Sequence, residues 1–362
     1  MTARVEPTGV LFLGCGWAAA LHSRTLRRVR GVELFYASRD GARAEAYRRR
    51  YGGRRAFGSY EAGLAEAAVD VAIVATPTAT HRDLALRALR AGKHVIVEKP
   101  AFMRATDADV VRAAAREAGR RVLVAENYAY KPVAEHLRRL IRAGDLGEVR
   151  FVSLNATRRQ PARGWRDDPA LSGGGALFEA GVHWISFASN IGLEVREVCA
   201  HRAGPTRGPD RSSLVVIRYA GGAVGTLAHS WELAAPLGGL RLSKVQGTLG
   251  AVTFESNGLA AVTTGRRPSL QVPAFRDPLG YRAMLADFLA ALRTGEPARF
   301  TLEMAQRDLL LLEQAERSMA ERPIEDAGGA PPPIGGAAVR GGVGVVAGAS
   351  TGTLSRWRQI LP

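Results

Sequence analysis

Three side chains stand out for the chemistry they could do: Lys99, Glu179 and His183. A lysine can donate a hydrogen bond to an oxygen that gains negative charge during a reaction. A histidine can carry a proton, and a carboxylate can orient it and stabilise its protonated form. Lys99 lies in Val95-Ile96-Val97-Glu98-Lys99-Pro100, where three aliphatic residues read as a buried strand and the proline ends its ladder. Ligands of open α/β sheets bind beyond the carboxyl ends of the strands, which places Lys99 for chemistry. A solvated lysine at a strand end is the competing reading. Glu98 reads as orienting Lys99 or a cofactor ribose, and Pro100 as fixing the turn that aims both. Glu179 and His183 follow the glycine run Gly173-Gly174-Gly175. A helix starting near Gly175 would put them i,i+4 on one face, as an acid–base relay. Such pairs are commonly surface pairs, but here the neighbours are apolar and the glycine backbone can approach a ligand closely.

The elements that must hold these groups form a β-α repetition. Val10 to Leu13 reads as a strand and Ala18 to Arg28 as a helix, with Gly14-Cys15-Gly16-Trp17-Ala18-Ala19 between them. This is a G-x-G-x-x-A dinucleotide fingerprint. Gly14 permits the turn, Gly16 lets a pyrophosphate approach, and Ala19 keeps the helix close to the sheet. Glu33 to Ala37 reads as the second strand. Where an NAD enzyme places an acid for the ribose hydroxyls, the chain has Ser38-Arg39, a hydroxyl and a guanidinium suited to a 2′-phosphate. NADP(H) is therefore favoured. Asp40 follows one step late, so NAD(H) stays open. Val71 to Ala75 and Val122 to Ala125 add strands without polar alternation, as in a sheet buried on both faces. Thr76-Pro77 closes the first of these and Glu126-Asn127 the second, while His81 reads as capping or lining the cofactor groove.

Beyond Pro132 the pattern changes. A helix from Val133 to Ala143 leads into strand-like segments at Val149–Ala156, Val195–Arg202, Ser213–Tyr219, Val224–Trp231, Leu240–Gln246 and Ala251–Glu255. Helices follow at Leu279–Leu292 and Leu302–Glu321. The expected architecture is α/β: a doubly wound Rossmann domain over 8–131, then an α+β domain over 132–325 with a large, mostly antiparallel open sheet. One free face of that sheet would suit a homodimer or homotetramer. Residues 326–362, rich in Gly, Ala and Pro, read as a flexible tail.

The 362 residues carry a formal charge of +16, yet only four of the 50 basic residues are lysines. The arginines are dispersed, and the densest cluster, Arg48-Arg49-Arg50, reads as a solvated helix end. A nucleic-acid partner is not expected. No apolar run approaches a membrane span, and Met1 to Thr8 lacks a signal-peptide pattern. The two cysteines, Cys15 and Cys199, suit a reducing cytoplasm, and metal-ligand spacing is absent.

Taken together, these motifs resemble the glucose-fructose oxidoreductase / inositol dehydrogenase / MocA (Gfo/Idh/MocA) family over about Gly9 to Arg322. The residues that carry the likeness are the glycine fingerprint, Ala75-Thr76-Pro77 with His81, and Glu98-Lys99-Pro100. Trp165-Arg166 and the run from Gly173 to His183 complete the set. The resemblance implies NAD(P)-dependent interconversion of an alcohol and a ketone on a sugar or cyclitol. It places Lys99 beside nicotinamide and substrate, makes His183 the acid/base and gives Glu179 the role of its carboxylate partner. It extends the substrate contacts to Tyr128, Trp165 and Arg166. The implied cofactor contacts are Gly14, Gly16, Trp17, Ala18, Ser38, Arg39, Thr76, Pro77, His81, Glu98, Lys99 and Asn127. The family also includes cofactor-binding regulators and NAD-dependent glycosidases. Three departures stand out: Glu179 replaces the usual Asp, Ser186 stands where an Asp often follows the histidine, and Ala129 stands where an arginine is frequent.

Overall fold

A computed structural model describes residues 8–161, 164–204, 208–234, 239–272 and 277–321. Six strands, β1 (Thr8–Leu13), β2 (Val32–Ala37), β3 (Arg55–Phe57), β4 (Val71–Val74), β5 (His94–Val97) and β6 (Val122–Val124), form one sheet in the order β3-β2-β1-β4-β5-β6. All neighbours are parallel. Helices run over the sheet between strands, among them Trp17–Leu26, His81–Arg90 and Asp107–Glu117. That arrangement explains why β4 is buried at every position. The strand order reverses between β1 and β4, which opens the crevice where such sheets take ligands.

The second sheet contains β7 (Val149–Thr157), β8 (Val195–Ala203), β9 (Ser212–Tyr219), β10 (Val224–Ser230), β11 (Leu242–Gly247), β12 (Gly250–Glu255), β13 (Ala261–Gly265) and β14 (Ser269–Gln271). Its order is β14-β13-β12-β11-β7-β10-β9-β8. Only the pair β7 and β10 is parallel; the remaining neighbours run antiparallel. Alternation along β7 and β9 sends Val152, Leu154, Val215 and Ile217 inward, where the helices Val182–Ser189 and Leu302–Glu321 pack. The opposite face leaves Phe151, Leu214, Val224, Leu242, Val262 and Leu270 exposed.

The two sheets share a continuous apolar core and belong to one compact unit. The expected strands and helices of both halves are present. The sequence reading passes over β3, β13, β14, the helix Asp107–Glu117 and the short helices Tyr60–Leu64 and Pro169–Ser172. The expected tail, 326–362, lies outside the described residues. No helix among the described residues is long and apolar enough to cross a membrane.

Candidate active site

The glycine fingerprint forms a cradle at the end of β1. Gly14 has φ +99°, and a Cβ there would meet the Ala75 carbonyl oxygen at 2.7 Å, so only glycine fits. Above Gly16 the space is open: an added Cβ would find nothing nearer than the same oxygen at 4.0 Å. Gly16 caps the helix Trp17–Leu26 without a side-chain acceptor, which leaves first-turn N–H groups for an anion. Trp17 is exposed at the mouth and Ala18 is half-buried. The cradle therefore fits a dinucleotide pyrophosphate. At the end of β2, the Ser38 hydroxyl accepts a hydrogen bond from Asp40 N (3.2 Å). The Asp40 carboxylate caps the next helix by accepting from Arg43 N (3.2 Å). Arg39 is exposed beside this turn.

The reactive groups gather where β5 and β6 end. Glu98 and Lys99 leave β5, and a cis peptide joins Lys99 to Pro100. Lys99 Nζ donates to the Glu179 carbonyl oxygen at 2.9 Å and lies 3.8 Å from Glu179 Oε1. That same carboxylate oxygen accepts from Arg166 Nε at 2.9 Å. Arg166 in turn packs 4.5 Å over the Trp165 ring. Burial works to raise the Glu179 carboxyl, but the charges of Lys99 and Arg166 outweigh it and hold it below the usual range.

His183 has a different partner from the one expected. Its Nδ1 lies 2.8 and 2.9 Å from the two oxygens of Glu126, which leaves β6. The expected Glu179–His183 pair does not form. Residues Leu177–Gly181 wind as a π-turn before the α-helix Val182–Ser189, so residues four apart no longer share one stripe. Glu179 turns to Lys99 and Arg166, and His183 turns to Glu126.

Burial pushes the Glu126 carboxyl up to about 7. Burial, with the charge of Lys99, drives the His183 imidazole well below its ordinary value. His183 is therefore a neutral imidazole at neutral pH. With Nδ1–H donated to Glu126, its Nε2 lone pair is free, and that nitrogen has no hydrogen-bond partner among the described residues. The Tyr128 ring stacks on His183 (centroids 4.4 Å apart, planes at 13°). Lys131 Nζ sits 3.5 Å from the centroid of the Tyr128 ring, on the face that His183 leaves open.

Three expected cofactor contacts are otherwise engaged. His81 is fully buried, its Nδ1 against the Pro100 and Ala101 carbonyls (3.0 and 3.2 Å) and its Nε2 against that of Thr76 (2.9 Å). It ties the ends of β4 and β5 together instead of presenting a nitrogen to the groove. Glu98 hydrogen-bonds His22 and accepts from Lys99 N at 3.2 Å; it does not reach the Lys99 ammonium. Asn127 donates to the Leu279 carbonyl at 2.7 Å, leaving its own oxygen buried and unpaired. Thr76 pairs with the Thr80 hydroxyl at 2.7 Å, next to Pro77.

The sequence reading missed Glu126 and Lys131 as site residues. Glu126 carries the same signal as Lys99, a charge just beyond a buried strand. Lys131 is fully buried two residues after Ala129, and burial lowers its ammonium to about 7. Standing just before a helix-opening proline, it has no local mark of burial.

A dinucleotide cradle beside a buried histidine–carboxylate pair and a lysine defines an NAD(P)-dependent oxidoreductase. Comparison with known proteins agrees. A model of the oxidoreductase family with an NAD-binding Rossmann fold matches residues 8–126, and one of the Gfo/Idh/MocA C-terminal domain matches residues 134–253. The chain belongs to the Gfo/Idh/MocA family. It is 30% identical over 277 residues to a D-xylose 1-dehydrogenase (NADP(+)) of Haloferax volcanii, covering 74% of this chain and 83% of that protein. An uncharacterised oxidoreductase of Rhizobium meliloti is 29% identical, with 81% and 90% covered. Among solved structures, GenD2 from gentamicin A biosynthesis, in complex with NAD, aligns with a TM-score of 0.77 at 28% identity, covering 88% of this chain and 95% of that one. The aldose-aldose oxidoreductase of Caulobacter crescentus shares the fold, with a TM-score of 0.78 at 23% identity and 87% and 98% covered.

Proposed function

We propose that this protein interconverts a secondary alcohol and a ketone on a sugar, cyclitol or similar polyol, with NADP(H) as the preferred cofactor. The observation that carries the reading is the His183–Glu126 pair facing Lys99 at the ends of β5 and β6. The bound nicotinamide supplies the hydride acceptor or donor. His183 Nε2 takes the hydroxyl proton, while Glu126 holds Nδ1–H and balances the imidazolium charge that develops. Lys99, fixed by the Glu179 carbonyl, donates a hydrogen bond to the reacting oxygen and stabilises its growing negative charge. In the reducing direction His183 returns the proton. Trp165, Arg166 and Tyr128 line the substrate side.

Arg39 and Ser38 support the choice of NADP(H), since Asp40 is engaged as a helix cap. A titration tests it: Arg39→Ala should weaken NADP+ binding about tenfold and leave NAD+ binding nearly unchanged. Equal losses for both cofactors would refute the preference. Turnover is tested by a screen of sugars, keto-sugars and cyclitols in both directions; cofactor binding with no reaction across the panel would refute the enzyme reading. A homodimer or homotetramer formed through the apolar outer face of the second sheet is part of the proposal, as is a cytoplasmic setting. The exposed Phe151 and Leu242 support the first, and a count of two cysteines, too few for a disulfide framework, supports the second.

A further inference from the structure

At one end of the second sheet, the inner face carries polar groups that the fold leaves unsatisfied. Arg241, just before β11, is 6% exposed. Its one side-chain hydrogen bond among the described residues goes to a neutral amide, Asn257 Oδ1, at 2.5 Å, and its Nε is buried without a partner. His229 on β10 is buried with Nδ1 unpartnered, and Ser213, opposite it on β9, has a buried, unpartnered hydroxyl. Arg158 directly follows β7, whose neighbours are β10 and β11. Because β7 and β11 run antiparallel, Arg158 and Arg241 leave the sheet at the same end. The Arg158 guanidinium forms no hydrogen bond or ion pair with a described residue.

These groups act on one another and on the reactive cluster. Burial lowers the pKa of both Arg241 and His229, and the charge of Arg158 lowers each further. The charge of Glu179, a member of that cluster, also reaches His229. The charges of Arg241 and Arg158 also help to hold down the Lys131 ammonium, which burial lowers to about 7. The carboxylates in reach are otherwise occupied. Glu255 accepts from Asn257 N, Asn257 Nδ2 and Leu259 N, and Glu126 holds His183. A buried guanidinium beside other cations, with no carboxylate of its own, is costly unless an anion joins it.

We propose that Arg241 and Arg158 recognise an anionic substituent, a carboxylate or a phosphoryl group, on the sugar substrate, while His229 hydrogen-bonds a ring hydroxyl. The planar guanidinium fork suits either anion. This deepens the sugar-oxidoreductase reading and rests on it.

The test titrates the protein with NADP+ bound, by calorimetry, against D-glucose, D-glucuronate, D-glucose 6-phosphate and UDP-glucose, and screens the same sugars for cofactor reduction. At least one charged sugar should bind about tenfold or more tightly than glucose, and the carboxylate and phosphoryl arms separate the two sources. Arg158→Ala, at an exposed position that keeps the fold, should reduce that preference about tenfold. Arg241→Gln should reduce it further, and Arg241→Lys should restore part of it. The assignment is overturned if glucose binds as well as the charged sugars, if no charged sugar binds, or if the preference survives both substitutions. Charge-selective binding without hydride transfer in either direction would overturn the oxidoreductase reading and leave the anion subsite standing.

Discussion

The parallel sheet offers chemistry at the ends of its strands, and the second sheet offers it on a face. Glu98, Lys99 and Glu126 all stand within two residues of the carboxyl ends of β5 and β6. Helices cover both faces of that sheet, so these charged groups gather at its strand ends. In the second sheet, His229 lies within β10, and Arg241 and Arg158 flank β11 and β7 on the inward side. The hydrogen-bonded pair proposed to transfer the proton joins the two arrangements: Glu126 comes from a strand end of the first sheet, and His183 from a helix packed on the second. The geometry of the candidate site therefore depends on how the two halves meet.

That division can be broken from either side. The largest effect should come from His183→Ala, with kcat falling roughly 10²–10⁴-fold and cofactor affinity nearly unchanged, read by steady-state kinetics and a separate cofactor titration. Lost cofactor affinity would mean that the second half also builds the nucleotide site. Next, Glu126→Gln should lower kcat by about tenfold or more. Glu179→Gln should act mainly on KM, because it loosens Arg166 and Lys99. The reverse ranking would restore the pairing expected from sequence. Gly16→Val is a change of the first half alone: its extended backbone and open space tolerate a side chain, yet cofactor binding should weaken about tenfold or more. A variant that binds cofactor normally would sink the cradle assignment.

A further effect is on stability. Burial holds the His229 imidazole down at about 3, against 6.5 when unfolded. The unfolded chain therefore takes up a proton that the folded one refuses, and stability should be lost as pH falls from about 6.5 toward 3. His229→Gln should flatten that decline in thermal midpoints measured between pH 7 and 4. An unchanged slope would mean that the face residue is hydrated rather than buried.

The same contrast explains what could be read from the sequence. Strand-end chemistry is local: the glycine fingerprint and Glu98-Lys99-Pro100 each sit beside the apolar run that positions them. The two sheets were legible for the same reason, through runs and alternation. The carboxylate partner of His183 was not, since Glu126 is 57 residues away and the π-turn breaks the spacing that pointed to Glu179. Face residues are harder still. His229 looks like one more polar position in an alternating strand, and nothing adjacent marks it as inward. Lys131 hides in the same way, because its burial comes from elements distant in the chain.

The stacked ring of Tyr128 has one more consequence. It closes one face of the His183 imidazole, and Glu126 closes the Nδ1 edge. A hydroxyl can then reach the remaining nitrogen only along the ring plane, from a fixed side. A proton acceptor approached from one direction is handed. Under the proposed reaction, paired with a hydride path set by the glycine cradle, it would separate epimers at the reacting carbon, so that the two configurations of one alcohol would be different molecules to this site.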